Sequence, residues 1–139
     1  MQKENSKRQR PLRLLLADDN RTARAGLRAL LESVAWDSND FEIVEAENGA
    51  QAVEIIEKRK PDVVLIDVQM PRLNGIEATR IIKARWPAIR VIVLTMYRTH
   101  QADALAAGAD RFLLKGSPPE LLLTAIFGDI EPQKEKKDE

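Results

Sequence analysis

The sequence predicts an α/β fold: a doubly wound parallel sheet of five strands with helices packed on both faces. Three observations predict it. Short apolar runs alternate with amphipathic segments along most of the chain. The run Val63–Ile66 is apolar at every position, as expected of a strand covered on both sides. A helix-length segment separates each pair of successive strands, and a helical crossover joins parallel neighbours. Right-handed crossovers then limit the sheet to doubly wound orders, whose ligands sit outside the carboxyl ends of the strands.

Leu12–Ala17 is the first strand and runs into Asp18 and Asp19. Leu27, Leu30, Leu31 and Val34 then recur at helical spacing, giving an inward face to a helix that starts near Arg21. Phe41–Ala46 is a shorter strand. Asn48-Gly49 opens the second helix, which turns Ala52, Val53, Ile55 and Ile56 inward. Lys60-Pro61-Asp62 ends it, because the residue before a proline is pushed out of the α region. Val63–Asp67 is the third strand, and Pro71-Arg72-Leu73-Asn74-Gly75 is a loop. Ile76–Arg85 is helical, with Ile81 and Ile82 inward, and Trp86-Pro87 terminates it.

Val91–Thr95 is the fourth strand, and Thr99–Ala107 is a short alanine-rich helix closed by Gly108. Arg111–Leu114 is the fifth strand and leads to Lys115. Ser117-Pro118-Pro119-Glu120 has the pattern of a capping box with prolines in the first turn. The helix that follows is expected to carry Leu121, Leu122, Ala125 and Ile126 inward and to end near Gly128.

These elements make one domain over residues 11–130, between a flexible basic tail, 1–10, and a charged tail, 131–139. The 22 basic and 22 acidic side chains give zero formal net charge, so no global field favours nucleic acid, membranes or acidic partners. Lys3, Lys7, Arg8 and Arg10 have no interleaved aromatics and read as a tail rather than a nucleic-acid surface. The absence of cysteine excludes disulfides, thiolate metal sites and cysteine nucleophiles. A single histidine, His100, excludes a site built from several imidazoles. No apolar run approaches the roughly 18 residues of a membrane span, and the N-terminus lacks a signal peptide's apolar stretch. A cytoplasmic location is expected.

If the runs are neighbouring parallel strands, Asp18, Asp19, Asp67, Thr95 and Lys115 meet at one edge of the sheet. Crowded carboxylates raise one another's pKa unless a cation neutralises them, and an all-oxygen donor set suits Mg²⁺. Taken singly, each acid is as well explained as a helix cap or turn former, and Lys115 and Thr95 as surface residues. The whole set at strand ends, in order, favours a site.

LLLADDN, VVLIDVQMPRLNGIEATR, VIVLT and AGADRFLLKG together resemble the receiver domain of bacterial two-component response regulators, over about residues 12–128. MPRLNGIEATR and LLKGSPPELL resemble receivers attached to a LuxR-type helix-turn-helix output domain. The resemblance implies a flavodoxin-like sheet of order 2-1-3-4-5 with five helices. It implies that Asp67 accepts a phosphoryl group from a sensor histidine kinase or phosphotransfer protein. Asp18, Asp19, Asp67 and the backbone carbonyl of Gln69 would hold Mg²⁺, and Thr95 and Lys115 would bind phosphoryl oxygens. Phe112 stands at the family's aromatic switch position, where a core phenylalanine is an equally good reading. Gln69 and Tyr97 stand where the family tunes phosphoryl lifetime, although Tyr97 also reads as a surface aromatic.

The family's proline after the lysine, with its cis peptide bond, is replaced by Gly116. A cis non-proline bond costs about 3–4 kcal/mol, so a trans bond or a rearranged loop is expected. Arg21, Arg24 and Arg28 share one side of the first helix and read as a solvated stripe or a kinase-docking face.

The resulting expectation is a signalling switch rather than an enzyme. It would accept and slowly hydrolyse its own phosphoryl group, control transcription through an output domain, and dimerise through its fourth and fifth helices. A stand-alone adaptor is the alternative, and the charged ending of the chain leans slightly toward it. An aspartyl-nucleophile phosphohydrolase is disfavoured because Gln69 stands where such enzymes place a second acid.

Overall fold

The computed structural model describes residues 10–34 and 40–127. Five strands, β1 (Leu12–Ala17), β2 (Phe41–Ala46), β3 (Val63–Ile66), β4 (Arg90–Thr95) and β5 (Arg111–Leu114), alternate with five α-helices. The helices are α1 (Arg21–Val34), α2 (Gly49–Arg59), α3 (Gly75–Arg85), α4 (Gln101–Ala106) and α5 (Pro119–Phe127), with a 3₁₀ turn at Arg98–His100 before α4. All strand pairs are parallel, and the order is β2-β1-β3-β4-β5. The predicted fold class, strand order and helix count are therefore observed.

Strand periodicity divides the core in two. Leu15, Ala17, Val64, Ile66, Val91 and Val93 face α2, α3 and α4, meeting Ala52, Ile56, Ala78, Ile82 and Ala104. Leu14, Leu16, Leu65 and Ile92 face the opposite way, meeting Leu31 of α1 and Leu122, Ala125 and Ile126 of α5. Because β1, β3 and β4 lie inside the sheet, nearly all their side chains are buried, whereas β2 at the edge is half-buried.

An asparagine caps each of the first three helices. Asn20 Oδ1 accepts from the Ala23 N–H at 2.9 Å, Asn48 Oδ1 from Gln51 at 2.8 Å, and Asn74 Oδ1 from Ile76 and Glu77, both at 2.9 Å. Such caps contribute about 1 kcal/mol each by satisfying orphan amides. Helix α4 ends as expected at Gly108, whose φ of +107° suits glycine. The Gly108 and Ala109 N–H groups close back onto Leu105 and Ala104 carbonyls at 3.0 and 3.1 Å, forming a Schellman motif. Lys60 ends α2 in the left-handed region, at φ 46°.

Four sequence expectations need correction. Val34 and Leu121 are not inward; they are 38% and 49% exposed, because each helix reaches the sheet with only a narrow stripe. The capping box at Ser117 does not form: α5 begins at Pro119, and the Ser117 N–H instead donates to the Leu114 carbonyl at 3.1 Å. Arg10, read as tail, is anchored by its guanidinium to both Asp62 carboxylate oxygens at 3.0 and 2.9 Å. The arginine stripe on α1 is not a solvated face, as shown below. The rest of the N-terminal tail, the C-terminal tail and Gly128 lie outside the described residues. Among the described residues no helix is long and apolar enough to cross a membrane.

Candidate functional site

The backbone ladder continues one residue beyond three strands, and this places the site. The Asp18 N–H donates to the Ala46 carbonyl at 3.1 Å, the Asp67 N–H to Ala17 at 2.9 Å, and the Lys115 N–H to Thr95 at 2.8 Å. Asp18, Asp67 and Lys115 are thus held at the carboxyl edge by the same bonds that build the sheet. The sequence-predicted acids do come together: one carboxylate oxygen from each of Asp18, Asp19 and Asp67 lies within 4.8 Å of the others.

Lys115 Nζ closes the cluster, donating to Asp18 Oδ2 at 2.7 Å and to Asp67 Oδ2 at 3.3 Å. The other oxygens are oriented by backbone amides. Asp18 Oδ1 accepts from Asn20 N–H at 2.9 Å, and Asp67 Oδ1 from Val68 N–H at 2.8 Å. Asp18 is 3% exposed and Asp67 9%, while Asp19 reaches solvent. Three acids against one ammonium leave excess negative charge in a partly dry site. Burial raises the Asp67 pKa above the ordinary carboxylate value; Lys115 opposes this and the neighbouring Asp18 charge adds to it. For Lys115 burial is the largest single influence and pulls its pKa down. The hydrogen bonds and charges of Asp18 and Asp67 together outweigh burial, so its ammonium form is favoured overall. This all-oxygen, acid-rich donor set fits a hard divalent cation.

A close backbone approach fixes Asp67 from below. The Gly75 N–H donates to the Val68 carbonyl at 2.8 Å, and a Cβ on Gly75 would collide with the Asp67 carbonyl oxygen. The loop after β3 can fold this closely against Asp67 only with glycine at the start of α3. After Lys115, Gly116 adopts φ +89°, which proline cannot reach. The Ser117 N–H···O=C Leu114 bond closes a tight turn with glycine at its third position, and no cis peptide bond occurs among the described residues. The chain reverses there by a different turn, and Lys115 still reaches both acids.

The remaining predicted residues divide by burial. Thr95 is 1% exposed, and its Oγ1 lies 3.2 Å from His100 Nδ1. Phe112 is half-buried, packs against the core under α2–α4, and stands beside Val93 in the β4–β5 register. Gln69 is exposed and lines an open cleft with Asn74, Glu77, Arg80 and His100. Tyr97 is half-exposed, and its ring meets that of His100 edge-on at 5.7 Å.

The roles of three residues near the site, Arg24, Arg28 and His100, escaped sequence reasoning. Arg24 is nearly buried and donates to the Asp18 carbonyl at 2.6 Å and to Glu45 Oε1 at 2.7 Å. Arg28 holds the other Glu45 oxygen at 2.9 Å and the Ile43 carbonyl at 3.1 Å. Hydrogen bonds from Arg24 and then Arg28 hold the Glu45 pKa below the usual range. Of the α1 stripe only Arg21 is exposed; the other two arginines tie α1 to β2 and brace the Asp18 backbone. The clue was Glu45, an acid at the end of an edge strand, but its partners depend on how α1 packs. His100 gave no such clue, because it follows Thr95 by five positions and only a 3₁₀ turn brings it back.

Comparison with known proteins agrees with this geometry. Residues 14–127 match the model of the response regulator receiver domain. An uncharacterized transcriptional regulatory protein of Bacillus subtilis, YhcZ, is 38% identical over 115 residues, covering 81% of this chain and 52% of the relative. The chain spans about half the length of the curated relatives it matches. A LuxR-family two-component response regulator from Aurantimonas superposes with a TM-score of 0.76 at 32% identity, covering 84% of this chain and 83% of that one. The receiver domain of the sensor histidine kinase PA1611 from Pseudomonas aeruginosa, solved with magnesium in its active-site cleft, gives a TM-score of 0.72 at 27% identity, covering 84% and 94%. The family model covers the two aspartate-bearing strand ends, the threonine strand and the lysine strand in one continuous match, and this chain belongs to the response regulator receiver domain family.

Proposed function

We propose that the chain is a phosphorylatable switch in which Asp67 accepts a phosphoryl group from a phosphohistidine on a sensor histidine kinase or phosphotransfer protein. The observation that carries this reading is the position of Asp67, nearly buried at the end of β3 between an acid and an ammonium. An Asp67 carboxylate oxygen attacks phosphorus, the P–N bond to the donor imidazole breaks, and its electron pair returns to the ring nitrogen. The product is an aspartyl phosphate on this chain and a free histidine on the partner. Phosphoryl transfer depends on positioning and charge neutralisation, and the site residues supply both. Lys115 is drawn from two carboxylates toward a phosphoryl oxygen, and the Thr95 hydroxyl hydrogen-bonds another.

Asp18, Asp19, Asp67 and the Gln69 backbone carbonyl are the groups that would hold Mg²⁺, which when bound neutralises charge on the phosphoryl oxygens. Phe112, half-buried beside Val93, is the side chain whose repacking would report the new group to the surface. Gln69 and Tyr97 stand at the exposed approach and set phosphoryl lifetime. Leu105 on α4 and Leu121 on α5 are exposed apolar residues suited to a phosphorylation-dependent homodimer. The output is control of transcription, as the name of the Bacillus subtilis relative suggests, exerted in the cytoplasm and without direct nucleic-acid or membrane contact by this domain.

Incubation with acetyl phosphate and Mg²⁺, followed by intact mass, tests the reading. One phosphoryl group is gained, Asp67→Asn abolishes the gain, and the decay of the added mass reports on Gln69 and Tyr97. Folded wild-type protein that gains no mass would exclude phosphoacceptance.

A further inference from the structure

We propose that His100 is a positioning residue that holds the Thr95 hydroxyl in the resting state, so that phosphorylation must exchange an imidazole acceptor for a phosphoryl oxygen. The inference rests on the reading of Thr95 as a phosphoryl ligand. Thr95 sits at the end of β4, with β3 on one side and β5 on the other, and is almost wholly buried. Among the described residues His100 is the one hydrogen-bonding partner of its side chain, at 3.2 Å between Oγ1 and Nδ1.

Satisfying the buried hydroxyl assigns the direction of that bond. If Nδ1–H donated to Oγ1, the threonine O–H would be a buried donor with no acceptor, a rarer and costlier defect than an underused lone pair. The hydroxyl therefore donates, Nδ1 accepts, and the ring proton is on Nε2. A hydroxyl has one proton, so it cannot donate to His100 and to a phosphoryl oxygen at once.

The imidazole is held in place from several directions. The 3₁₀ turn Arg98–His100 folds the chain back toward β4, and the His100 N–H donates to the Tyr97 carbonyl at 3.1 Å. The Tyr97 ring meets the imidazole edge-on, with an interplanar angle of 83°. Releasing Thr95 thus loosens a unit of Thr95, Tyr97 and His100 that immediately precedes α4. Switching at the phosphoryl site and rearrangement at the start of α4 become one event.

Titration with beryllofluoride and Mg²⁺, a phosphoryl mimic, tests this without turnover. His100→Leu removes the competing acceptor, and the mimic should bind about 3–10-fold more tightly, the range expected for one neutral hydrogen bond. His100→Asn restores an acceptor near the Nδ1 position and should return affinity toward wild type. In a Thr95→Val background, His100→Leu should have no effect. Because the chain has one histidine, its imidazole nitrogen signals also report directly. Wild-type protein should show Nδ1 as an unprotonated acceptor, and its signal should move when the mimic binds. Equal or weaker binding by folded His100→Leu, or an imidazole signal that ignores the mimic in wild type, overturns the inference and leaves phosphoacceptance standing. Failure of wild type to bind the mimic overturns both.

Discussion

The two edges of this sheet are built from the same residue types and balanced in opposite ways. At the amino edge acids have basic company. Asp62 accepts from Arg10 and from the Arg13 backbone N–H, and Glu42 is held between Arg13 at 3.3 Å and Arg59 at 2.7 Å. At the carboxyl edge Asp18, Asp19 and Asp67 crowd together, and one lysine, Lys115, is shared by Asp18 and Asp67. The pKa directions follow. The Arg59 hydrogen bond, ahead of opposing desolvation, lowers Glu42, whereas burial raises Asp67. One edge is finished within the chain. The other is left with charge that a cation, a proton or a conformational change would relieve, the feature on which the proposed function rests.

The largest way to break this contrast is steric. Gly75→Ala drives a methyl group into the backbone of Asp67, and we expect a loss of about 3 kcal/mol or more in denaturant unfolding, beyond usual overpacking. A tolerated alanine with unchanged stability would mean that the loop after β3 is free to move away.

An intermediate effect comes from removing one acid at each edge. Asp62→Asn should destabilise by about 1 kcal/mol, since Arg10 and the Arg13 amide lose a charged acceptor. Asp67→Asn should instead raise the melting temperature without Mg²⁺, because it removes a carboxylate whose burial outweighs its attraction to Lys115. The pH dependences have opposite signs. Asp67 has a raised folded pKa, so its contribution is full below the ordinary carboxylate value and is lost as pH rises through the raised one. Glu42 has a lowered pKa, so its smaller, solvent-screened contribution is present above the ordinary value and is lost as pH falls through the lowered one. Melting curves across this range should show Asp67→Asn flattening the decline on the alkaline side and Glu42→Gln flattening the decline on the acid side. Two mutants shifting stability in the same direction would refute the contrast between the edges.

The smallest effect separates a glycine that serves the site from one that does not. Gly26 lies inside α1 with nothing near the place of its missing Cβ. Gly26→Ala should stabilise by about 0.5–1 kcal/mol through helix propensity alone, read as a shifted denaturation midpoint. A loss of stability would show that the space around Gly26 is tighter than its geometry indicates.

Much of this was legible in the sequence, for identifiable reasons. Runs such as Val63–Ile66 and Leu14–Leu16 carry their burial in their composition, and parallel connectivity forces their ends to one edge, so Asp18, Asp67, Thr95 and Lys115 could be grouped before any coordinates. Gly108 and Asn48 announced helix ends because their conformations and side chains act locally.

What failed depended on packing between elements. Leu121 has the right hydrophobicity to be inward, but the rotation of α5 on the sheet exposes it. Arg24 and Arg28 look like a solvated stripe until α1 settles over β2 and presents them to Glu45. The sequence alone determined the elements, their parallel arrangement and the residue types at the carboxyl edge, because periodicity and strand connectivity are properties of the chain. Only the tertiary structure decided that Lys115 bridges Asp18 and Asp67, that Gly75 abuts Asp67, and that His100 returns to Thr95. Those are contacts between side chains and loops whose distances depend on how each helix seats against the sheet, and no local pattern encodes them.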